Sequence, residues 1–139
     1  MAIWRKDFDG DKASYVRNEV RFQKMAARLG LAPKIRKTDN KTFIEMDQIP
    51  EMSVGDIYGD DIADIPPRVL GGMFSLLWTL YHVCSIEYLD VWPRNFIESE
   101  GRVWIIDFGD ARKKGKKQDE YLESVFKKGR ITKWNPEFA

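Results

Sequence analysis

At 139 residues, 43% of them hydrophobic, the chain is long enough for one domain with a real core. Its 23 Lys and Arg nearly cancel its 22 Asp and Glu, so no overall field directs it to nucleic acid or a membrane surface. The single cysteine, Cys84, excludes an internal disulfide. With no signal-peptide pattern and no long uncharged apolar run, the expectation is an intracellular, cytoplasmic protein.

In chain order, Ala2 to Lys6 reads as a short strand, and Asp9-Gly10-Asp11 as a turn whose last Asp is placed to cap a helix. From Lys12 to Leu29 the pattern is helical, closed by Gly30 and then Pro33. Tyr15, Phe22, Ala26 and Leu29 form one stripe, and Glu19 falls on it. A carboxylate facing a core needs a cation, because unpaired burial is costly; Lys12 and Lys24 are within reach on the helix itself. Lys34 to Thr38 and Lys41 to Glu45 flank an Asp39-Asn40 turn and read as a hairpin.

After Pro66-Pro67, residues Met73, Leu76, Leu77, Leu80 and Cys84 recur at helical spacing, which predicts a helix from Arg68 to Ser85. His82 projects from its polar side as a surface residue, whereas Cys84, Trp78 and Trp104 read as packing. Val103 to Ile106 is apolar on both faces and too short for a helix, so it reads as a buried strand. The Arg112 to Lys117 run reads as a solvated loop and Gln118 to Lys128 as an amphipathic helix. The Trp134 to Phe138 tail either docks on the core or serves as a partner contact.

The densest chemistry lies between Tyr88 and Ala111. Asp90 is followed five residues later by Asn95, then by a hairpin with a Ser99-Glu100-Gly101 turn, then by Asp107-Phe108-Gly109. An Asp-Phe-Gly alone is an ordinary strand-ending turn. In this order and spacing the segment resembles the protein-kinase-like phosphotransferases, whose catalytic loop carries an Asp with an Asn five positions on, followed by Asp-Phe-Gly. Ile106 to Ala111 also resembles the version found in aminoglycoside and choline kinases.

The resemblance implies an α+β, reduced two-lobe fold: residues 1–46 a small antiparallel sheet with one helix, residues 47–139 a mainly helical lobe carrying the catalytic hairpin. It implies ATP and Mg²⁺ as cofactors, with Asp90 orienting the acceptor hydroxyl and Asn95 and Asp107 holding the metal. Met1-Ala2-Ile3-Trp4 resembles the strand that bears the phosphate-binding lysine. Lys6, on the same face as Trp4, is then the partner of Glu19 and the phosphate contact. Phe43 to Asp47 resembles the strand entering the adenine hinge, with Ile44 as gatekeeper and the Glu45 carbonyl and Asp47 amide pairing with the base; the residues alone fit a plain edge strand equally.

The chain also departs from the family. No Gly-x-Gly-x-x-Gly precedes the first strand, Tyr88 and Leu89 stand where His and Arg are usual, and Trp92 replaces a lysine. Arg94 matches the arginine of tyrosine kinases and could reach the transferring phosphate, or it pairs with Glu98 or Glu100 in the hairpin. Three functions follow: a minimal serine/threonine or tyrosine protein kinase, a pseudokinase that binds nucleotide or partners, and a small-molecule kinase. The acceptor is a protein or a small molecule, with room for an activating partner protein.

Overall fold

The computed structural model describes residues 2–138, so Met1 of the first-strand motif lies outside them. Three antiparallel strands, β1 (Ile3–Asp7), β2 (Ile35–Thr38) and β3 (Phe43–Asp47), form a sheet in the order β1-β3-β2. Helix α1 (Ala13–Arg28) lies between β1 and β2 in sequence. The chain continues through α2 (Val54–Tyr58), α3 (Pro67–His82), β4 (Ile86–Glu87), the hairpin β5 (Phe96–Ser99) and β6 (Arg102–Ile105), β7 (Arg112–Lys113) and α4 (Glu120–Lys128). The class is mixed α+β, with small antiparallel sheets and several helices.

The apolar core is in two parts, and α1 joins them. Val16 and Val20 pack with Phe8, Ile44 and Met46 under the three-stranded sheet. One turn further on, Phe22 and Ala26 enter the larger core with Met73, Leu77, Leu80, Phe96, Ile105 and Phe108. Each buried aliphatic or aromatic side chain contributes about 1.5–3 kcal/mol, so α1 is fixed from both sides. At its end Gly30 adopts φ +72° and donates to the Ala27 carbonyl, which closes the helix where the glycine predicts. Two details differ from expectation. Lys12, not Asp11, is the N-cap and makes no side-chain cap. Glu19, Phe22 and Ala26 of the expected stripe are buried, joined by Val16, Val20 and Gln23, but Leu29 sits at the C-cap, 48% exposed.

Pro67 starts α3, since its missing N–H is needed by no carbonyl there. The helix ends at His82, three residues early, before Ser85 turns at φ +58°. Cys84 is therefore only partly buried beside the core. His82 is exposed as expected, but Trp78 is 45% exposed and is not core packing. Gly72 brings α3 against β6, where a Cβ would stand 2.7 Å from Val103 Cγ2. β6 is less enclosed than its sequence suggests: Val103 and Trp104 are half-buried, and the Arg102 guanidinium lies 3.6 Å from the Trp104 ring centroid.

Two features left no periodic trace. α2 is a single turn begun by Ser53, whose hydroxyl accepts from the Asp56 amide. The β4–β7 ladder joins Glu87 to Arg112, whose Nε lies 2.7 Å from the buried carboxylate, so the basic run begins as paired strand rather than solvated loop. Of the two readings of the tail, docking is observed: Trp134 Nε1 donates to the Asp60 carbonyl (2.6 Å) and Asn135 Nδ2 to that of Leu89 (2.8 Å).

Candidate functional site

The β5–β6 hairpin positions the acidic and amide groups. A 3₁₀ turn, Pro93–Asn95, delivers Asn95 into β5, and the Ile106 amide donates to the Asn95 carbonyl at 3.0 Å. Asp107 therefore follows directly on a backbone bond to Asn95. The Asn95 side chain donates through Nδ2 to the Asp90 carbonyl at 2.9 Å, closing the Asp90–Asn95 loop. Its amide oxygen is left as the free end, a hard donor of the kind magnesium takes. Burial pushes the half-buried Asp90 carboxyl up, the Asn95 amide pulls it down, and the nearby charges of Asp107 and Asp110 raise it further.

Asp107 has φ +66°, in the left-handed region that costs most L-residues about 1–2 kcal/mol and that Asp tolerates better than most. Its carboxylate is 37% exposed and lies 3.1 Å from Lys6 Nζ. The same ammonium lies 2.8 Å from Glu19 Oε1. The cation that Glu19 requires is thus Lys6, not Lys12 or Lys24. Burial disfavours the charge on Lys6, but Asp107 and Glu19 outweigh it and raise its pKa.

Two carboxylates share this one ammonium. Glu19 is fully buried, and among the described residues its Oε2 has no hydrogen-bond partner. Burial raises its carboxyl to about 7, against the pull of Lys6. A folded-state value above the ordinary 4.5 means that the folded protein takes up a proton as pH falls through about 7. Its stabilising share is complete below the ordinary value and is lost as pH rises through the folded one. A Glu19→Gln variant has no such proton. Its melting temperature is expected to rise relative to the parent between about pH 5 and about pH 8, and parallel melting curves across that range would remove the assignment.

Arg94 does not make the expected hairpin pair with Glu98 or Glu100. Its guanidinium lies 2.6 Å from Asp56 and 3.6 Å from Asp60, while Glu98 is engaged by Tyr58 and Arg68. The 53–60 segment grips the side chain closely; a Cβ on Gly55 would stand 2.7 Å from Arg94 Cγ. With two carboxylates matching its charge, Arg94 is a poor source of positive field for a phosphate. Arg94→Ala is expected to lower any turnover less than tenfold, as measured by steady-state assay; a larger loss at unchanged melting temperature would restore Arg94 to the reacting centre.

The adenine contacts also need correction. β3 is the central strand, so Glu45 is registered to Arg5 on one side and Lys37 on the other. The Asp47 amide already donates to the Lys34 carbonyl at 3.0 Å. Their side chains are paired as well, Glu45 with Arg5 and Asp47 with Arg36. The Asp47 amide is therefore taken, and Glu45 lies inside the sheet between two strands. Ile44 is fully buried in the smaller core, facing α1.

Sequence reasoning missed the groups that hold the 107–111 turn, Tyr88, Asn18 and Tyr15. Tyr15 packs on Gly109 so closely that a Cβ there would overlap its hydroxyl. A cavity of about 950 Å³ lies elsewhere, among residues that include Glu87, Arg112, Lys117 and Asn135. Among the described residues no group of three or more His, Cys, Asp or Glu forms a metal cage; one carboxylate and one amide oxygen suit only an ion that keeps waters or brings a phosphate ligand. No family model matches this chain, and no curated protein matches it.

Proposed function

We propose that this chain is an ATP-dependent phosphotransferase of the protein-kinase-like kind, moving a phosphoryl group to a hydroxyl acceptor. The observation that carries the reading is the Lys6 ammonium bridging Glu19 and Asp107 beside the Asp90–Asn95 loop. Strand order β1-β3-β2 with α1 across one face supports the same reading, since it is what sets Lys6 against Glu19.

Each residue then has a task. Lys6, fixed by Glu19, binds phosphate oxygens and gives up part of its hold on Asp107 to do so. Asn95 and Asp107 would hold Mg²⁺, which when bound neutralises charge on the transferring group. Asp90 orients the acceptor hydroxyl and takes its proton as that oxygen bonds to phosphorus and the bond to the ADP oxygen breaks. Burial raises the Asp90 pKa, which makes the carboxylate a stronger base than a free aspartate.

The matched charge on Arg94 favours a second reading, a nucleotide-binding module without turnover. Incubation with γ-labelled ATP and magnesium, alone and with cell extract, separates the two. Label on protein or on a small molecule supports transfer and names the acceptor class. Stabilisation by Mg-ATP with no labelled product supports the binding module. A protein that neither transfers label nor responds to Mg-ATP removes both readings.

A further inference from the structure

We propose that Asn18 and Tyr88 are positioning residues that clamp the 106–111 turn from its two ends and hold the Asp107 backbone in its left-handed conformation before any ligand arrives. Tyr88 reaches the entry of the turn from beneath. Its hydroxyl lies 2.6 Å from the Ile106 carbonyl and 2.8 Å from the Asp107 carbonyl, so its one proton is shared by two successive carbonyls. Carbonyls that converge in this way are what a backbone at φ +66° produces, and an extended Asp107 would turn one of them away. The ring is itself fixed, 1% exposed and edge-on to Phe96 and Phe108. Burial pushes the phenol pKa far above its ordinary value, which keeps it a donor.

Asn18 holds the exit of the turn. Its side-chain amide spends both protons there, on the Gly109 carbonyl at 3.0 Å and on the Ala111 carbonyl at 2.8 Å. It stands on α1 one residue before Glu19, so the helix that aims Lys6 also sets the turn that carries Asp107. Between the two clamps, Tyr15 covers Gly109. The turn is thereby assembled by side chains of the folded protein. No modified loop or bound partner is needed to order it.

The clamp stands on geometry alone; its consequence for Asp107 as a magnesium ligand rests on the function proposed above. Two variants test it. Tyr88→Phe keeps the ring and loses the hydroxyl, and Asn18→Ala removes both donors from a half-exposed helical position where alanine is well tolerated. In the ligand-free protein, deuterium uptake by the peptide covering 106–111 is expected to quicken roughly three- to tenfold in Tyr88→Phe, the factor that the loss of one net hydrogen bond allows, and at least as much in Asn18→Ala, which loses two. Uptake in α3 should stay at the parental rate. Unchanged uptake at 106–111 in a folded variant overturns that residue's part in the clamp.

The second readout is the magnesium concentration that half-saturates ATP-dependent stabilisation. It should rise by a similar factor, while the response at saturating magnesium is kept. A quickened turn with parental magnesium dependence overturns the positioning role. If the parent itself shows no Mg-ATP response, the phosphotransferase reading fails, and the clamp is judged by exchange alone.

Discussion

An Asp90→Ala variant is expected to lose about 10²- to 10⁴-fold in phosphoryl transfer while keeping its stabilisation by Mg-ATP, because the carboxylate acts on the acceptor and not on the nucleotide. The geometry separates the two roles. Asn95 Nδ2 donates to the Asp90 backbone carbonyl, a bond that alanine keeps, so the loop and the proposed metal ligands stay in place. Loss should fall on kcat, with little change in the apparent affinity for ATP. Parental turnover in a folded Asp90→Ala protein would remove it as the base. A collapse of Mg-ATP stabilisation would show instead that Asp90 supports the nucleotide site. Asp90→Asn keeps the shape but cannot take a proton at neutral pH, so it should be nearly as slow as alanine.

The parts of the site that were legible in the sequence were those in which one residue's chemistry was at odds with its position. Glu19 is a carboxylate on an apolar helical stripe, and that conflict alone demanded a buried cation. The strand's two-residue alternation then left Lys6 as a candidate on the right face. The hairpin was legible because its turn residues, Ser99-Glu100-Gly101, sit between two apolar runs, and Glu100 and Gly101 do take positive φ.

What stayed hidden was settled by contacts between distant residues. Nothing local marks Tyr88 as a donor to Ile106 and Asp107, or Asn18 as a donor across more than ninety residues to Gly109 and Ala111. The partners of Arg94 were hidden for the same reason: Asp56 and Asp60 stand on and just after a one-turn helix too short to leave a periodic pattern. The adenine contacts failed differently. The strand was found, but its central place in the sheet was not, and there the Asp47 amide is taken by the Lys34 carbonyl.

Asp107→Asn should leave the ligand-free protein close to parental stability and abolish most of its response to Mg-ATP. Asparagine is the informative substitution, because it shares with Asp a tolerance of positive φ, whereas alanine at +66° would add a backbone cost unrelated to metal binding. In the ligand-free state the change removes one of two carboxylates on Lys6, and the Lys6–Glu19 pair remains. The Tyr88 hydrogen bond is made to the backbone carbonyl at this position, so the substitution leaves it in place. Under the proposed function, two neutral amides would then face a divalent ion and a triphosphate, too little charge to compete with water for the metal. At a ligand concentration 100 times the dissociation constant, binding adds about 2.7 kcal/mol to the parent's stability. Most of that increment should be missing in the variant, read as the difference in melting temperature with and without Mg-ATP. An Asp107→Asn protein stabilised as strongly as the parent would place the metal, or the nucleotide itself, somewhere other than this turn.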